Sequence, residues 1–281
     1  MLEQERYNGA VKRVGANMNA SVQQPAGSTG DSALVNVEQR GPIAWLTLNR
    51  AQKYNVLSAS MIAELKGILE RMGADRTVRA IVLAAAGRAF SAGHDLSEMG
   101  AEVGLDAMRA LFNACGDLML TIQTIPQPVI ARVQGVATAA GCQLVASCDL
   151  AVASCDARFA VSGINLGLFC STPAVAISRN MLQKPALEML LTGDFIDAQT
   201  ARERGLVNRV VPAEQLDAET EKLASTIASK SPDAIAAGKR LFYQQRELAI
   251  DAAYRKAADV MAQNAILEDA RQGIARFSKR S

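Results

Sequence analysis

Hydrophobic positions along the chain switch between the spacing of strands and the spacing of helices. Apolar residues alternate with polar ones over 35–48, on both sides of the turn formed by Arg40, Gly41 and Pro42, which predicts a β-hairpin. Apolar residues then recur at helical spacing over 61–72. The preceding Ser58 is of a residue type that caps helices. The pattern therefore predicts a hairpin followed by an amphipathic helix.

Strand and helix patterns continue to alternate through the next hundred residues. Buried strands are predicted at 80–84, 129–133, 150–153 and 158–161, and helices at 105–125 and 139–147. From Pro173 onward the apolar pattern is almost all helical. Strands that alternate with helices predict right-handed crossovers around a mainly parallel sheet, and hence an α/β fold.

Length and composition favour one large folded unit with appendages. The chain has 281 residues, of which 49% are hydrophobic, enough for a sizeable core. We divide it into a flexible N-terminal arm (1–32), a core (33–212) and a C-terminal helical region (213–281) for trimerisation. The apolar faces of this last region either belong to the core or pack on another subunit. Acidic residues in the arm and its lack of an apolar stretch argue against a secretory signal.

Charge and cysteine usage narrow the partners and the compartment. A net charge of +2 gives no bias toward nucleic acid, and no apolar stretch reaches the roughly 20 residues that cross a bilayer. The five cysteines include no CxxC pair, and the chain has one histidine. We therefore expect no metal site. A reducing compartment is expected, namely the cytoplasm, or the mitochondrial matrix if the source is eukaryotic.

Two loops rich in small residues carry the strongest functional signal. Residues 88–96 follow the apolar run 81–83, and residues 135–143 follow the apolar run 128–130. Loops of this kind at strand ends leave backbone N–H groups uncovered. Two N–H groups that converge on one point form an oxyanion hole, which stabilises negative charge on a carbonyl oxygen. The pattern predicts chemistry on an activated carbonyl, with the backbone as the main source of stabilisation.

These loops resemble those of a known family. Residues 89–96, 135–149, 191–194 and 205–207 are similar, in the right order, to segments of the enoyl-CoA hydratase/isomerase (crotonase) superfamily. The runs 139–149 and 167–173 are closest to its subgroup called enoyl-CoA hydratase domain-containing protein 3. The resemblance implies a spiral core of repeated ββα units, a homotrimer or a dimer of trimers, and acyl-CoA thioester substrates. Coenzyme A is then part of the substrate, and no separate cofactor is expected.

The resemblance also implies roles for particular residues. By position, the oxyanion-hole N–H groups belong to Ala92 and Ala140. Ala140 also lies in the first turn of a predicted helix, where free N–H groups and the helix dipole favour negative charge. Residues expected to contact the substrate are Lys53, Ala92, Gly93, His94, Asp95 and Ala140, with Lys53 near the phosphates of coenzyme A.

The chain departs from the family at the positions where a hydratase keeps two glutamates. Gln143 stands at the first position and Gly163 at the second. A carboxamide can orient water but does not accept a proton near neutral pH, and a positioned acid or base contributes roughly 10²–10⁴ in rate. We therefore expect weak or no hydration. His94, the only histidine, is a candidate for proton transfer. The alternative is that His94 bonds locally and shapes the channel.

Three functions remain open at this point. The first is an enzyme that acts on acyl-CoA thioesters, of the hydratase or isomerase type. The second is a non-catalytic acyl-CoA binding or regulatory protein, favoured by the two missing glutamates. The third is an ATP-independent peptidase on the same spiral fold, disfavoured because His94 has no plausible serine partner. Cys170 is a further candidate nucleophile, although a buried inert thiol is the simpler interpretation.

Overall fold

The computed structural model describes residues 33–100 and 102–278, so the predicted arm (1–32) lies outside the described residues. The strands in this part of the chain are β1 (Val35–Arg40), β2 (Ile43–Leu48), β3 (Ala80–Ala85), β4 (Ala89–Ser91), β5 (Val129–Val133), β6 (Val136–Thr138), β7 (Leu150–Ser154), β8 (Arg158–Ala160), β9 (Ile196–Asp197) and β10 (Arg209–Val211). The α-helices are α1 (Ala59–Ala74), α2 (Leu105–Thr124), α3 (Ala140–Ser147), α4 (Ser171–Asn180), α5 (Gln183–Thr192), α6 (Ala198–Glu203), α7 (Leu216–Ala228), α8 (Pro232–Gln245), α9 (Ile250–Ala265) and α10 (Glu268–Ser278).

A six-stranded sheet forms the centre of the molecule, in the order β1-β2-β3-β5-β7-β10. Only the β1–β2 pair is antiparallel, and the predicted hairpin is confirmed with Arg40 opposite Ile43. The helix that follows is also confirmed, since the Ser58 hydroxyl accepts a hydrogen bond from the Met61 N–H at 3.2 Å. β10 was missed, because three residues without alternation carry too little periodic signal.

A smaller sheet of four strands stands beside the first, in the order β4-β6-β8-β9. β4 and β6 lie within the segments that the sequence predicts as small-residue loops, so that prediction was incomplete. Each is only three residues long, and strands this short built from small residues resemble loops in sequence. Because β4, β6 and β8 are parallel neighbours, the residues that follow them emerge at one edge of this sheet.

Helices cover both faces of the large sheet. One face packs on α1, α2 and α3, and the other packs on α7 through a cluster that includes Trp45, Leu216 and Ala224. The indole N–H of Trp45 donates to the Glu221 carboxylate at 3.0 Å. α7 is therefore a layer of the core. The predicted contact with another subunit is left to the remaining C-terminal helices, α8, α9 and α10.

Hydrogen bonds between buried polar groups hold α8 against the core. The Lys239 ammonium donates to the Ile122 carbonyl at 2.7 Å, the Gln127 carbonyl at 2.8 Å and the Asp149 carboxylate at 2.7 Å. The Tyr243 hydroxyl donates to the other Asp149 oxygen at 2.8 Å. Burial lowers the pKa of Lys239, and the charge of Asp149 opposes that shift. These bonds place α8 across the end of α2 and the start of β7.

Candidate functional site

The two small-residue loops touch each other just beyond β4 and β6. Gly93 has a φ of +90°, and a Cβ at this position would lie 2.9 Å from the Ala139 Cβ and 3.1 Å from the Ala140 nitrogen. Both distances are too short for a side chain, and the backbone conformation itself favours glycine. Gly93 therefore allows the first loop to approach the start of α3.

The second loop is held in a strained conformation where it enters α3. Ala139 is the N-cap of this helix, with a φ of 49° and a ψ of −121°, a combination that costs a non-glycine residue about 1–3 kcal/mol. Its N–H donates to the Ala160 carbonyl at 3.0 Å and its carbonyl accepts from the Gln143 N–H at 3.0 Å. These bonds keep the turn in place, so the N–H of Ala140 begins the helix without an intrahelical partner.

The predicted donor in the first loop is wrong. The N–H of Ala92 donates to the Tyr54 carbonyl at 3.0 Å, so it is occupied within the fold. The Gly93 carbonyl accepts from the Leu57 N–H at 2.7 Å. By contrast, no hydrogen bond joins the N–H of His94 to any other residue in 33–100 or 102–278. The free N–H next to Gly93 is thus two residues further along than the sequence predicted.

Asn55 stabilises the first loop through hydrogen bonds, and this role was not predicted from the sequence. This residue is fully buried with a φ of +51°. Its carboxamide oxygen accepts from the Arg50 N–H at 2.9 Å, and its nitrogen donates to the carbonyls of Ala86 and Ala89 at 2.8 and 2.9 Å. Its own carbonyl accepts from the Ser91 hydroxyl at 2.8 Å. The only signal in sequence was that asparagine tolerates positive φ.

A cavity of about 310 Å³ opens at the point where the loops meet. It includes Ala92, His94, Ala140, Gly163, Cys170 and Thr172 in its lining. Most of the lining is apolar, and none of the described residues that line it is acidic. We call this the first cavity. It combines an uncharged wall with a backbone N–H at Ala140 that has no hydrogen-bond partner among the described residues.

His94 is the polar side chain with the most distinctive environment in the first cavity. Its ring lies edge-on to Phe112, with ring centroids 5.4 Å apart. Its Nε2 atom is buried and has no hydrogen-bond partner in the part of the chain that the structure describes. Burial lowers the pKa of His94 below its ordinary value, so the imidazole is neutral at pH 7. A neutral imidazole can both accept and donate a proton.

Cys170 occupies the space beside Gly163. The Gly163 N–H donates to the Cys170 sulfur at 3.3 Å. A Cβ at Gly163 would lie 2.7 Å from that sulfur and 2.6 Å from the Leu168 carbonyl oxygen. Burial raises the pKa of the Cys170 thiol, which disfavours the thiolate. The structure therefore leaves no room for a longer side chain at Gly163, and it favours the inert interpretation of Cys170.

Gln143 does not line the first cavity. It lines a second cavity of about 540 Å³ between α2, α3, α4 and α8. The side chain is only 3% exposed, and its Oε1 atom has no hydrogen-bond partner among the described residues. Thr172 lines both cavities. The structure thus separates Gln143 from His94, although the sequence placed both among the catalytic candidates.

Basic side chains lie near the outer end of the first loop. The Asp95 carboxylate accepts from the Ser97 hydroxyl at 2.6 Å and the Ser97 N–H at 3.0 Å. These bonds lower the pKa of Asp95, and the charges of Lys53 and Arg50 lower it further. Lys53 is exposed at the end of the short 3₁₀ helix Ala51–Lys53. Lys53 and Asp95 are therefore near each other, but neither lines the first cavity.

The described residues contain neither a metal-binding cluster nor a membrane-spanning helix. No group of three or more His, Cys, Asp or Glu side chains in this part of the chain is arranged to hold a metal ion. No helix within residues 33–100 and 102–278 combines the length and apolar character needed to span a bilayer. All five cysteines are free thiols.

Known proteins resemble this chain over most of its length. A family model described as enoyl-CoA hydratase/isomerase matches residues 38–281. Enoyl-CoA hydratase domain-containing protein 3, mitochondrial, from Xenopus laevis is 46% identical over 244 residues, covering 87% of this chain and 83% of that protein.

Solved structures show the same likeness. An enoyl-CoA hydratase from Mycobacterium smegmatis is 52% identical with a TM-score of 0.87, covering 89% of this chain and 97% of its own. Human enoyl coenzyme A hydratase domain-containing protein 3 is 42% identical with a TM-score of 0.86, covering 88% and 98%. The predicted resemblance and the crotonase-like α/β fold with C-terminal helices are confirmed.

Proposed function

Because the chain belongs to the enoyl-CoA hydratase/isomerase family, we propose that it binds acyl-CoA thioesters and stabilises the enolate that forms from them. The observation that carries this proposal is the contact between the two loops at Gly93. That contact brings the first loop to the start of α3, where the N–H of Ala140 has no hydrogen-bond partner among the described residues. An acyl group attached through its thioester would then lie in the first cavity.

The two proposed donors are the N–H groups of Ala140 and His94. Ala140 begins α3, so the helix dipole adds to the effect of its N–H. His94 replaces Ala92 in this role, because the Ala92 N–H is already bonded to Tyr54. Charge-assisted hydrogen bonds of this kind contribute roughly 1.5–3 kcal/mol each. Ala92 itself still lines the cavity and is proposed to contact the substrate.

Proton transfer is proposed to rest on His94 alone. His94 lines the first cavity, and its Nε2 atom is buried without a hydrogen-bond partner among the described residues. We propose that this atom takes a proton from the carbon next to the thioester carbonyl. Cys170 is unsuited to this work because burial raises its pKa. Hydration of a double bond needs one group to activate water and another to protonate carbon. With a single group, hydration is proposed to be weak.

Turnover of a thioester panel tests this proposal. The protein would be incubated with saturated, enoyl, malonyl and hydroxyacyl-CoA thioesters, and the products identified by mass spectrometry. We expect exchange of the α-protons of saturated thioesters with solvent deuterium, dependent on His94, and little hydration of crotonyl-CoA. Rapid hydration that persists in His94→Gln would contradict the assignment of the proton-transfer group.

A non-catalytic acyl-CoA binder is the second candidate. It is supported by the uncharged wall of the first cavity and by the sulfur of Cys170 beside Gly163. Under this alternative His94 only shapes the channel. Thioester binding without α-proton exchange or any product would favour the binder over the enzyme.

The coenzyme A portion of the bound substrate is proposed to extend out of the first cavity past the first loop. Lys53 and Arg50 lie close enough to lower the pKa of Asp95, so positive charge is available near the proposed path of the phosphates. Gly93, His94 and Asp95 are proposed to contact the coenzyme through their backbone. No separate cofactor is proposed.

We also propose a trimer-based assembly and a reducing compartment. Several apolar residues of the C-terminal helices are largely exposed in the single chain: Ile250, Tyr254, Met261, Ile274 and Phe277. Sedimentation should show about three or six chains per particle. The comparisons give no support for the cytoplasm in particular. The names of vertebrate relatives carry the word mitochondrial, which favours the matrix if the source is eukaryotic.

A further inference from the structure

The second cavity is larger than the first and is not used by the proposed chemistry. It has a volume of about 540 Å³ and lies between α2, α3, α4 and α8. Its walls are apolar where Met119, Leu120, Val175 and Phe242 contribute. Cavities of this size and character bind small organic groups.

The second cavity adjoins the first at Thr172, in the first turn of α4. Thr172 lines both cavities, and Arg179 lines the second one only. These two residues are separated by seven positions, or about 10 Å along the helix. On α3, Ala140 lines the first cavity and Gln143 the second, about 4.5 Å further along. An extended acyl chain with its thioester at Ala140 would pass Thr172 to reach Arg179.

The far end of the second cavity is positively charged. Arg179 and Arg246 line it together with Glu247. The guanidinium of Arg179 lies 3.8 Å from the Glu247 carboxylate, and Arg246 donates to the Arg179 carbonyl at 2.6 Å. Asp149 also lines the cavity, but its charge is matched by Lys239 (above). The two guanidinium groups and the single carboxylate of Glu247 leave this end with a net positive charge, which is suited to a carboxylate.

The buried amide of Gln143 points to a polar occupant. Its Oε1 atom has no partner among the described residues, and a buried acceptor in this state normally has an occupant or water that completes it. A purely apolar occupant would leave this atom unsatisfied.

We infer that the second cavity holds the far end of the acyl group, and that this end carries a carboxylate. The substrate class is then a medium-chain ω-carboxyacyl-CoA thioester, with the thioester in the first cavity and the carboxylate at Arg179 and Arg246. The inference rests on the proposed function, because the thioester must occupy the first cavity for its tail to reach the arginines.

Calorimetric titration with matched ligands tests the inference. Octanoyl-CoA and suberyl-CoA have the same number of acyl carbons and differ in the terminal carboxylate. We expect wild-type protein to bind suberyl-CoA about tenfold more tightly. The double variant Arg179→Gln/Arg246→Gln should lose this preference. Arg240→Gln should keep it, because Arg240 is exposed on α8, which ends directly before Arg246, but Arg240 does not line the cavity.

The outcomes separate the inference from the proposed function. If neither thioester binds, the proposed function fails. If wild-type protein binds both equally, the proposed function stands and the inference is overturned. Equal affinity for free suberate and suberyl-CoA would mean an independent carboxylate site and would also overturn it. Should the double variant unfold, each single variant is expected to lose about threefold, and added salt should shrink the wild-type preference.

Discussion

The first and second cavities are neighbours, but they are built by different means. The first depends on backbone: a strained Ala139, a glycine that lets two loops touch, and a free N–H at the start of α3. The second depends on long side chains from four helices. Few amino-acid substitutions preserve the backbone geometry of the first cavity, whereas the helix side chains that line the second can be substituted one at a time. The first cavity is thus suited to a shared chemical step, and the second to the choice of acyl group.

The largest effect should come from Lys239, which fastens the wall of the second cavity. Lys239→Met leaves the Asp149 carboxylate buried without its cation, and breaking a buried pair from one side costs about 3–5 kcal/mol. The free energy of unfolding from urea titration measures the loss. As a control, Lys66→Met breaks the ion pair with Glu70 on α1, which is more exposed than the pair of Lys239 and Asp149, and should cost less than about 0.5 kcal/mol. Similar losses in both variants would contradict the role of Lys239.

Gly93→Ala should damage the first cavity and spare the second. The added Cβ would press on Ala139 and Ala140 and move the loops apart. Affinity for octanoyl-CoA should fall about 10- to 100-fold, as expected for the loss of two neutral hydrogen bonds to the thioester carbonyl. Gly41→Ala is the matched control, because Gly41 also has positive φ but nothing within 4 Å of its Cβ position. Equal affinity in the two variants would remove the special role of Gly93.

The crowding at Gly163 predicts a coupled loss of stability. Gly163→Ala should cost about 1–3 kcal/mol, because the new methyl would collide with the Cys170 sulfur and the Leu168 carbonyl. Cys170→Ala removes the first collision only, so the double variant should recover part of the loss. A double-mutant cycle by urea titration measures this coupling, expected at more than about 0.5 kcal/mol. Strict additivity would mean that the sulfur does not fill the space beside Gly163.

Introducing the glutamate pair is consequently not expected to restore hydration. Gly163→Glu meets the same backbone carbonyl of Leu168, and Gln143→Glu would place its carboxylate in the second cavity. On crotonyl-CoA, both variants and their combination should remain poor hydratases. A strong gain of hydration in the combined variant would show that the two positions can reach the thioester after all.

The smallest effect should be a pH dependence from His94. Its folded-state pKa is lowered below the ordinary 6.5, so the unfolded chain takes up the proton first as pH falls. The stability contributed by neutral His94 is therefore present above about pH 6.5 and is lost as pH falls through and below this value. Unfolding titrations at about pH 7.5 and about pH 5 should show wild-type protein losing more stability than His94→Gln. An equal loss would mean that His94 titrates alike in both states.

Sequence alone predicted the elements with strong periodicity and the two loops. The β1–β2 hairpin and α1 with its Ser58 cap were predicted because local pattern decides them. β4 and β6 were missed because their pairing is visible only once distant segments lie side by side. The donor assigned to Ala92 failed for a related reason, since its partner is a carbonyl at Tyr54, far away along the chain. The second cavity needs four helices to assemble, and no local pattern marks it.

The central claim is that two backbone N–H groups bind the carbonyl oxygen of a thioester in the first cavity. The most direct measurement compares the affinity of octanoyl-CoA with that of its thioether analogue S-octyl-CoA, which lacks the carbonyl oxygen. We expect wild-type protein to bind the thioester about tenfold more tightly, Gly93→Ala to lose this preference, and Gly41→Ala to keep it. Equal affinity of wild-type protein for the two ligands would contradict the claim.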